Sequence, residues 1–343
     1  MSAHPVQSIV PEDGAFLPHS HFWTDEAFAQ ERERVFGRCW LYMGVFDDTN
    51  VLTAEMAGLR FELQRRGGTM GGEAMEGVCR DGERVRPLQI DRCGALVFAR
   101  VAPKEGGDGG PTLAQHLAPY GERLAMMSAN CLNPQPPVGI AFQANWKALV
   151  ENTMDDFHGS TVHPDTIHPA VHPDWQTHLV TERHGANSDS RWRLADGTIG
   201  WWAKLDAKLR MRRFAEEPVY RHTFIFPNFY LATFYGATVI PHRVDPIAPD
   251  AAVLRWQLFL PTTRLETARE QAFHRSTATY LIQSAATVIA EDRPVCEAVQ
   301  QGRPGIADLP HITGIYGRRE RRILDFHQAM LRQLGERPLG ETA

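Results

Sequence analysis

The segment NWKALVENTMDDFHGSTVH, residues 145–163, combines side chains that bind a borderline metal ion. His158 and His163 offer imidazole nitrogens, and two histidines with one carboxylate on one face of an open site are typical of non-haem Fe(II) oxygenases. Asp155 lies three residues before His158 on the same helical face, so its carboxylate is placed to accept the proton of the ring nitrogen that faces away from a metal. Asp156 is turned about 100° from that face and is expected to face solvent.

The spacing of the two histidines requires a break in the helix. In an unbroken helix, side chains five residues apart diverge by about 140° and cannot share a metal ion. Gly159 and Ser160 lie between the histidines, and glycine can end a helix. We therefore expect a helix that ends near Gly159 and a chain that turns His163 back toward His158.

A third ligand must come from elsewhere, and Asp292 in ATVIAEDRPVCEAVQQG is the best candidate, with Glu291 as its competitor. Two alternatives remain. Asp292 could cap a helix that begins at Arg293, because proline is accepted in a first turn. The histidine-rich segment could also bind zinc, with His168 or His172 as the third ligand of a hydrolase.

Composition limits the class of protein. The chain has 343 residues and a net charge of −5 with dispersed basic residues, which argues against a nucleic-acid partner. No stretch approaches the roughly 18 apolar residues of a membrane span, and no secretory signal is recognisable, so a soluble cytoplasmic protein is expected. The five cysteines are widely spaced and are interpreted as free thiols.

The elements around these residues predict an α+β protein. Residues 24–40 favour a helix followed by a strand, whereas the glycine-rich residues 65–83 favour a loop. Strand patterns recur between 177 and 262 and predict an antiparallel sheet. Helices are expected near 112–128, over 263–290 and over 317–335.

Three motifs resemble the catalytic domain of Rieske-type ring-hydroxylating oxygenase α subunits. They are NWK…EN…D-x-x-H-x4-H from Asn145 to His163, FPNFYL at 226–231, and ED-x4-E-x-x-Q-x-G from Glu291 to Gly302. The resemblance covers most of 20–65 and nearly all of 95–335. It implies a helix-grip fold, in which a curved antiparallel sheet wraps a long C-terminal helix.

The resemblance also implies roles for individual residues. His158, His163 and Asp292 would hold a mononuclear Fe(II) that reacts with O2, and Asp155 would bridge the electron donor and the iron centre. In the family the cluster of one subunit reduces the iron of its neighbour in a trimer.

The chain departs from this family in its N-terminal part. The family carries a 2Fe–2S Rieske cluster on two cysteines and two histidines. Residues 50–94 contain Cys79 and Cys93 but no histidine. We therefore expect three regions: an N-terminal segment over 1–48, a reduced Rieske-like β region without a cluster over 49–110, and the iron domain over 111–343.

These inferences predict a catalytic subunit that obtains electrons from a separate cluster-bearing subunit, itself reduced by NAD(P)H through a reductase, in a trimeric or hetero-hexameric assembly. Hydroxylation or oxidative dealkylation of an aromatic small molecule is the expected reaction. Five residues are substrate-binding candidates: Asn145, Phe224, Phe226, Phe229 and Trp256. A non-catalytic structural subunit or ligand carrier is the alternative.

Overall fold

The computed structural model describes residues 16–67, 73–103, 109–262, 265–303 and 320–336. In this part of the chain the strands form two antiparallel sheets. The helices lie mainly around the second sheet, which gives the predicted α+β class. No helix in the described ranges has the length and apolar character needed to span a bilayer.

The N-terminal sheet has the order β1-β6-β5-β4-β3-β2. Its strands are β1 (Leu41–Gly44), β2 (Val51–Met56), β3 (Leu59–Gly67), β4 (Glu73–Asp81), β5 (Arg84–Cys93) and β6 (Leu96–Val101). Because β1 pairs with β6, this sheet begins before the expected boundary at residue 48.

The glycine-rich stretch is more regular than its composition predicts. Strands β3 and β4 flank residues 68–72, which lie outside the described residues, and pair along their length. The loop prediction was wrong for these flanks because β4 pairs with β3 and buries Cys79 opposite Phe61 in the core. Within β4, Gly77 permits a close approach, since a Cβ atom there would lie 2.7 Å from the carbonyl oxygen of Glu62.

The second sheet has the order β7-β13-β12-β11-β10-β9-β8 and is strongly curved. Its strands are β7 (Val138–Phe142), β8 (Leu179–His184), β9 (Asn187–Arg193), β10 (Val219–Ile225), β11 (Phe229–Phe234), β12 (Ile240–Ala248) and β13 (Ala251–Trp256). This is the antiparallel sheet predicted from the strand patterns.

The principal helices are α1 (Asp25–Glu31), α2 (Leu113–Leu117), α3 (Gly121–Ser128), α4 (Trp146–Met154), α5 (His158–Thr161), α6 (Trp175–His178), α7 (Asp196–Leu209), α8 (Ala268–Gly302) and α9 (Arg321–Leu334). Helix α1 continues as a π-helix over Arg32–Phe36. Helix α8 begins with a capping box between Thr267 and Glu270 and runs for 35 residues. It therefore passes through Asp292 without ending, and the alternative in which Asp292 caps a new helix was wrong.

One hydrophobic core joins the two sheets. It contains Phe61 and Cys79 from the N-terminal sheet together with Val244 and Trp256 from the second. Polar contacts reinforce the junction: the Arg243 guanidinium donates to the main-chain oxygen atoms of residues 42 and 43, at 2.9 and 3.0 Å. Strand β12, which bears Arg243, is thus anchored to the N-terminal sheet.

Candidate metal centre and cavity

Three predicted ligands converge at one place in the structure. His158, His163 and Asp292 each offer a ligand atom, and these atoms lie within 4.8 Å of one another. The Asp292 Oδ1 atom is 3.0 Å from Nε2 of His163 and 3.5 Å from Nε2 of His158. Donors bound at about 2.1 Å around one ion lie roughly 3 Å apart, so this spacing fits a first-row divalent metal.

The helix break that brings the histidines together lies earlier than predicted. Helix α4 ends at Met154, and Asp155 already has an extended backbone. His158 then opens the single turn of α5, so Gly159 and Ser160 lie inside a helical turn instead of ending one. The chain reverses through three residues before His158, because the side chain of Asp155 accepts a hydrogen bond from the Phe157 amide at 2.8 Å.

The outer nitrogen of each histidine is held by an oxygen atom. Nδ1 of His158 lies 2.5 Å from the main-chain carbonyl of Asp155, and Nδ1 of His163 lies 2.7 Å from Oε2 of Glu291. These acceptors fix the Nδ1–H tautomer and turn both Nε2 lone pairs toward Asp292. The sequence had suggested the Asp155 carboxylate as the partner of His158. The partner is instead the main-chain carbonyl of Asp155.

The donor set fits a cation on chemical grounds. Two imidazole lone pairs face Asp292 Oδ1, which is enclosed and makes no hydrogen bond within the described residues. Burial lowers the pKa of His163, but its contacts with Asp292 and Glu291 outweigh burial and raise that pKa above the ordinary value. An arrangement that attracts a proton in this way also attracts a divalent metal.

Glu291, the competitor for the third ligand, has a different place. Its Oε2 atom binds Nδ1 of His163 and also accepts a hydrogen bond from the Thr166 hydroxyl at 2.6 Å. It therefore orients a ligand and does not join the ligand cluster. No other group of three potential ligands was found in the described parts of the chain, so His168 and His172 do not complete a zinc site.

Asp156 does not face solvent, contrary to the sequence-based expectation. Its side chain is buried and lies 3.5 Å from the guanidinium of Arg322, which is buried as well. Arg322 belongs to α9 and reaches the site from a distant part of the chain. The helical-wheel argument failed because α4 has already ended at this position.

A cavity of about 140 Å³ adjoins the ligand cluster. Asp155 and Asp292 line it, and its aromatic walls are Trp175, Trp192, Tyr220, His222, Tyr230 and His242. A larger cavity of about 550 Å³ shares Ile167, Tyr220, His242, Val288 and Ile289 with it. The larger space is mostly apolar, and Asp165 is the one charged residue among its described lining side chains.

Two of the proposed substrate-binding residues have other contacts. Asn145 caps α4 by accepting from the Lys147 amide at 3.0 Å, and its Nδ2 donates to the carbonyl of Pro249 at 2.6 Å. Trp256 lies behind His242, with ring centroids 6.3 Å apart, and does not line the cavity beside the ligands.

The three phenylalanines also lie outside both cavities. Phe224 and Phe226 pack against Phe326 of α9, with centroids 6.1 and 6.0 Å apart. Phe229 packs against Tyr42 of the N-terminal sheet at 4.5 Å. The sheet and α8 form walls of the cavities, but residues other than these three phenylalanines provide them.

Strand alternation explains the difference. Tyr220, His222 and Phe224 share one face of β10, and α9 covers the end that bears Phe224. On β11 the cavity-facing residue is Tyr230, and its neighbour Phe229 points to the opposite face. The alternation of side chains along each strand predicts which residues share a face. It does not predict that α9 covers one end of that face and leaves the other end to line the cavity.

Comparison with known proteins agrees with this geometry. The sequence profile of the family described as ring hydroxylating alpha subunit (catalytic domain) matches residues 124–336. The chain belongs to this family. Its members are non-haem iron oxygenases, and the chain is one of them. No curated protein sequence matches the chain.

Solved structures with a similar fold include Rieske oxygenases of two kinds. The quaternary ammonium Rieske monooxygenase CntA, solved with an inhibitor, has a TM-score of 0.67 at 14% identity and covers 96% of this chain and 99% of its own. The naphthalene 1,2-dioxygenase from Rhodococcus sp. bound to indole has a TM-score of 0.65 at 14% identity, with 94% and 95% covered. At these identities the likeness concerns the fold.

Proposed function

We propose that the chain is the catalytic subunit of a Rieske-type oxygenase in which His158, His163 and Asp292 hold a mononuclear Fe(II). The convergence of these three residues beside an aromatic-lined cavity carries the proposal. Iron in a site with two histidines and one carboxylate supplies the activation of O2. The overall reaction consumes O2, two electrons and two protons: either one oxygen atom enters a substrate C–H bond and the other leaves as water, or both atoms add to the aromatic ring as a cis-diol.

The chain's own residues prepare this reaction. Glu291 and the Asp155 carbonyl orient the ligand imidazoles. Val288 and Ile289 line both cavities and lie about one turn before Asp292. Because the two cavities share these walls, a substrate in the larger cavity would extend into the smaller one next to the ligands. Apolar and aromatic walls favour an aromatic small molecule that undergoes hydroxylation or oxidative dealkylation.

The electrons would come from another polypeptide. A Rieske cluster needs two histidines, and the sequence has none between residues 22 and 115. We therefore propose that the N-terminal sheet is a Rieske-like region without a 2Fe–2S cluster.

Asp155 is the proposed entry point for electrons. It is partly exposed, lines the cavity and contacts His158 through its carbonyl. A cluster-bearing subunit, reduced by NAD(P)H through a reductase, would dock beside Asp155 in a trimeric or hetero-hexameric assembly. The iron-binding domain would then be residues 111–343, preceded by the Rieske-like region over 49–110 and a segment over 1–48, whose strand β1 pairs into the sheet of that region.

The cavity also suits a second substrate class. Trp201 lies 5.0 Å from Trp202 and 5.9 Å from Tyr280, and all three line the larger cavity. Such aromatic walls can bind a quaternary ammonium cation through cation–π interactions. Competition between ethylbenzene and tetramethylammonium for the purified chain separates the two classes.

Iron binding and partner dependence test the proposed function. The purified chain should bind about one Fe(II), because its three ligands complete a facial site, and Asp292→Ala should lose most of that iron. Asp250 is an exposed acid, and the variant Asp250→Ala is the matched control, which should keep its full iron content. Iron is measured by metal analysis after anaerobic loading.

Turnover should require a cluster-bearing subunit and a reductase. Full turnover of the iron-loaded chain with a chemical reductant alone would show that no such partner is needed. A wild-type chain that binds no iron would instead favour the structural subunit or ligand carrier.

A further inference from the structure

His222 on β10 is a buried histidine in the wall of the cavity beside the candidate ligands. Its side chain is 2% exposed, and its ring lines the cavity beside the metal ligands. Nδ1 lies 3.1 Å from a terminal nitrogen of Arg322. Nε2 is enclosed and has no hydrogen-bond partner among the described residues. Buried polar atoms without partners are rare and costly in folded proteins, so this atom requires an explanation.

The contact with Arg322 determines the tautomer of His222. A guanidinium group carries only N–H donors and keeps its charge, so Nδ1 must accept. The ring proton is therefore on Nε2, and protonation of Nδ1 would place two donors against each other. His222 thus presents a neutral N–H donor.

Arg322 is itself held in place. Its Nε donates to the Ser188 hydroxyl at 2.9 Å, and another nitrogen lies 3.5 Å from Asp156 Oδ1. The ring of His222 also packs against Tyr230, with centroids 4.7 Å apart. These contacts from three elements fix the orientation of the imidazole, so the donor is preorganised.

We propose that Nε2–H of His222 donates to an oxygen acceptor of the substrate. This inference rests on the proposed oxygenase function and narrows its substrate class. The substrate is a small aromatic molecule that carries a carbonyl or ether oxygen close to the oxidised carbon, and not a plain hydrocarbon. The apolar part of the substrate occupies the larger cavity. Its oxygen accepts the hydrogen bond from Nε2–H of His222 beside the candidate ligands.

A pair of isosteric probes tests this assignment on the full-length, metal-free chain. Acetophenone has a carbonyl oxygen where α-methylstyrene has a methylene group. Their affinities are measured by calorimetry, and the ratio of the two is the readout. His222→Asn keeps an acceptor for Arg322 but has no atom at the Nε2 position, so it should lower the preference for acetophenone about tenfold. His222→Gln places an amide N–H near that position and should retain most of the preference.

His116→Phe is the matched control. His116 also has an enclosed Nε2 without a partner in the described ranges, but it does not line either cavity. This variant should leave the affinity ratio unchanged. An unchanged ratio in His222→Asn, or an equal change in His116→Phe, would overturn the assignment. The test uses the metal-free chain, so its failure would not contradict the proposed iron site. If the chain failed to bind iron, the affinity ratio of the two probes could still be measured.

Discussion

At the residue scale, Glu291 lies outside the three candidate ligands but orients one of them. It binds Nδ1 of His163 and is held by the hydroxyl of Thr166. We expect Glu291→Ala to weaken Fe(II) binding by about 10–100-fold, because the imidazole loses its orienting acceptor. Competition with a metal-binding dye measures the affinity.

Glu297→Ala is the control for Glu291→Ala. Glu297 lies on the same helix and accepts a hydrogen bond from the Gln143 amide, away from the ligands. Its replacement should leave the iron affinity unchanged. Equal losses in both variants would show that the effect comes from helix α8 as a whole.

The sequence predicted which side chains converge at the candidate metal centre better than it predicted the partners of those side chains. His158, His163 and Asp292 could be found from residue type and motif spacing. The acceptors for their outer nitrogens could not, because the Asp155 carbonyl depends on the backbone reversal after α4. Likewise, no local pattern places Arg322 beside His222, which lies 100 residues away in the sequence.

At the scale of elements, a buried ion pair connects α1 to α4. The Lys147 ammonium lies 2.5 Å from Oε1 of Glu31, and both side chains are fully buried. Nε1 of Trp146 donates to the other oxygen of Glu31 at 2.7 Å. Helix α1 is thereby fixed against the helix that leads into the metal site.

Breaking this pair should be costly. Lys147→Met leaves the Glu31 carboxylate buried without its cation, so the free energy of unfolding should fall by about 3–5 kcal/mol. The double variant Glu31→Gln, Lys147→Met removes both charges and should regain most of the loss. Urea unfolding of the wild type, both single variants and the double variant measures the difference, and additive losses in the double variant would contradict this account.

The strand pattern was predictable, and helix α7 was not. Trp202, Leu205 and Leu209 give α7 a buried stripe at helical spacing. Gly197 and Gly200 lie in its first turns, and Ala195 offers no side-chain cap. The local signals for a helix start are therefore missing, and the helix depends on packing of its apolar face.

At the scale of the whole molecule, the chain contains several buried histidines that stay neutral. Burial lowers the pKa of His116 to about 4 and that of His242 to about 3. Burial, with a contribution from Arg322, lowers the pKa of His222 well below its ordinary value. Unfolded histidines bind protons near pH 6.5, so acid should favour the unfolded chain.

The loss of folding stability in acid should therefore be measurable, and replacing one buried histidine should reduce it. Between pH 6.5 and pH 4 the unfolded state holds more protons than the folded state, and stability should fall as the pH is lowered through this window. His116 accounts for up to about 3 kcal/mol of this loss. His116→Gln should reduce the loss between pH 7 and pH 5 in urea unfolding of the metal-free chain, and the exposed His184→Gln should not.

Pro294 lies inside α8, two residues after the candidate ligand Asp292. Proline has no amide hydrogen, so the carbonyl of Ala290 lacks its usual intrahelical partner. The missing bond spans the turn that bears both Glu291 and Asp292. With one backbone hydrogen bond fewer, that turn resists distortion less than its neighbours do, and its two acidic side chains are freer to change their spacing.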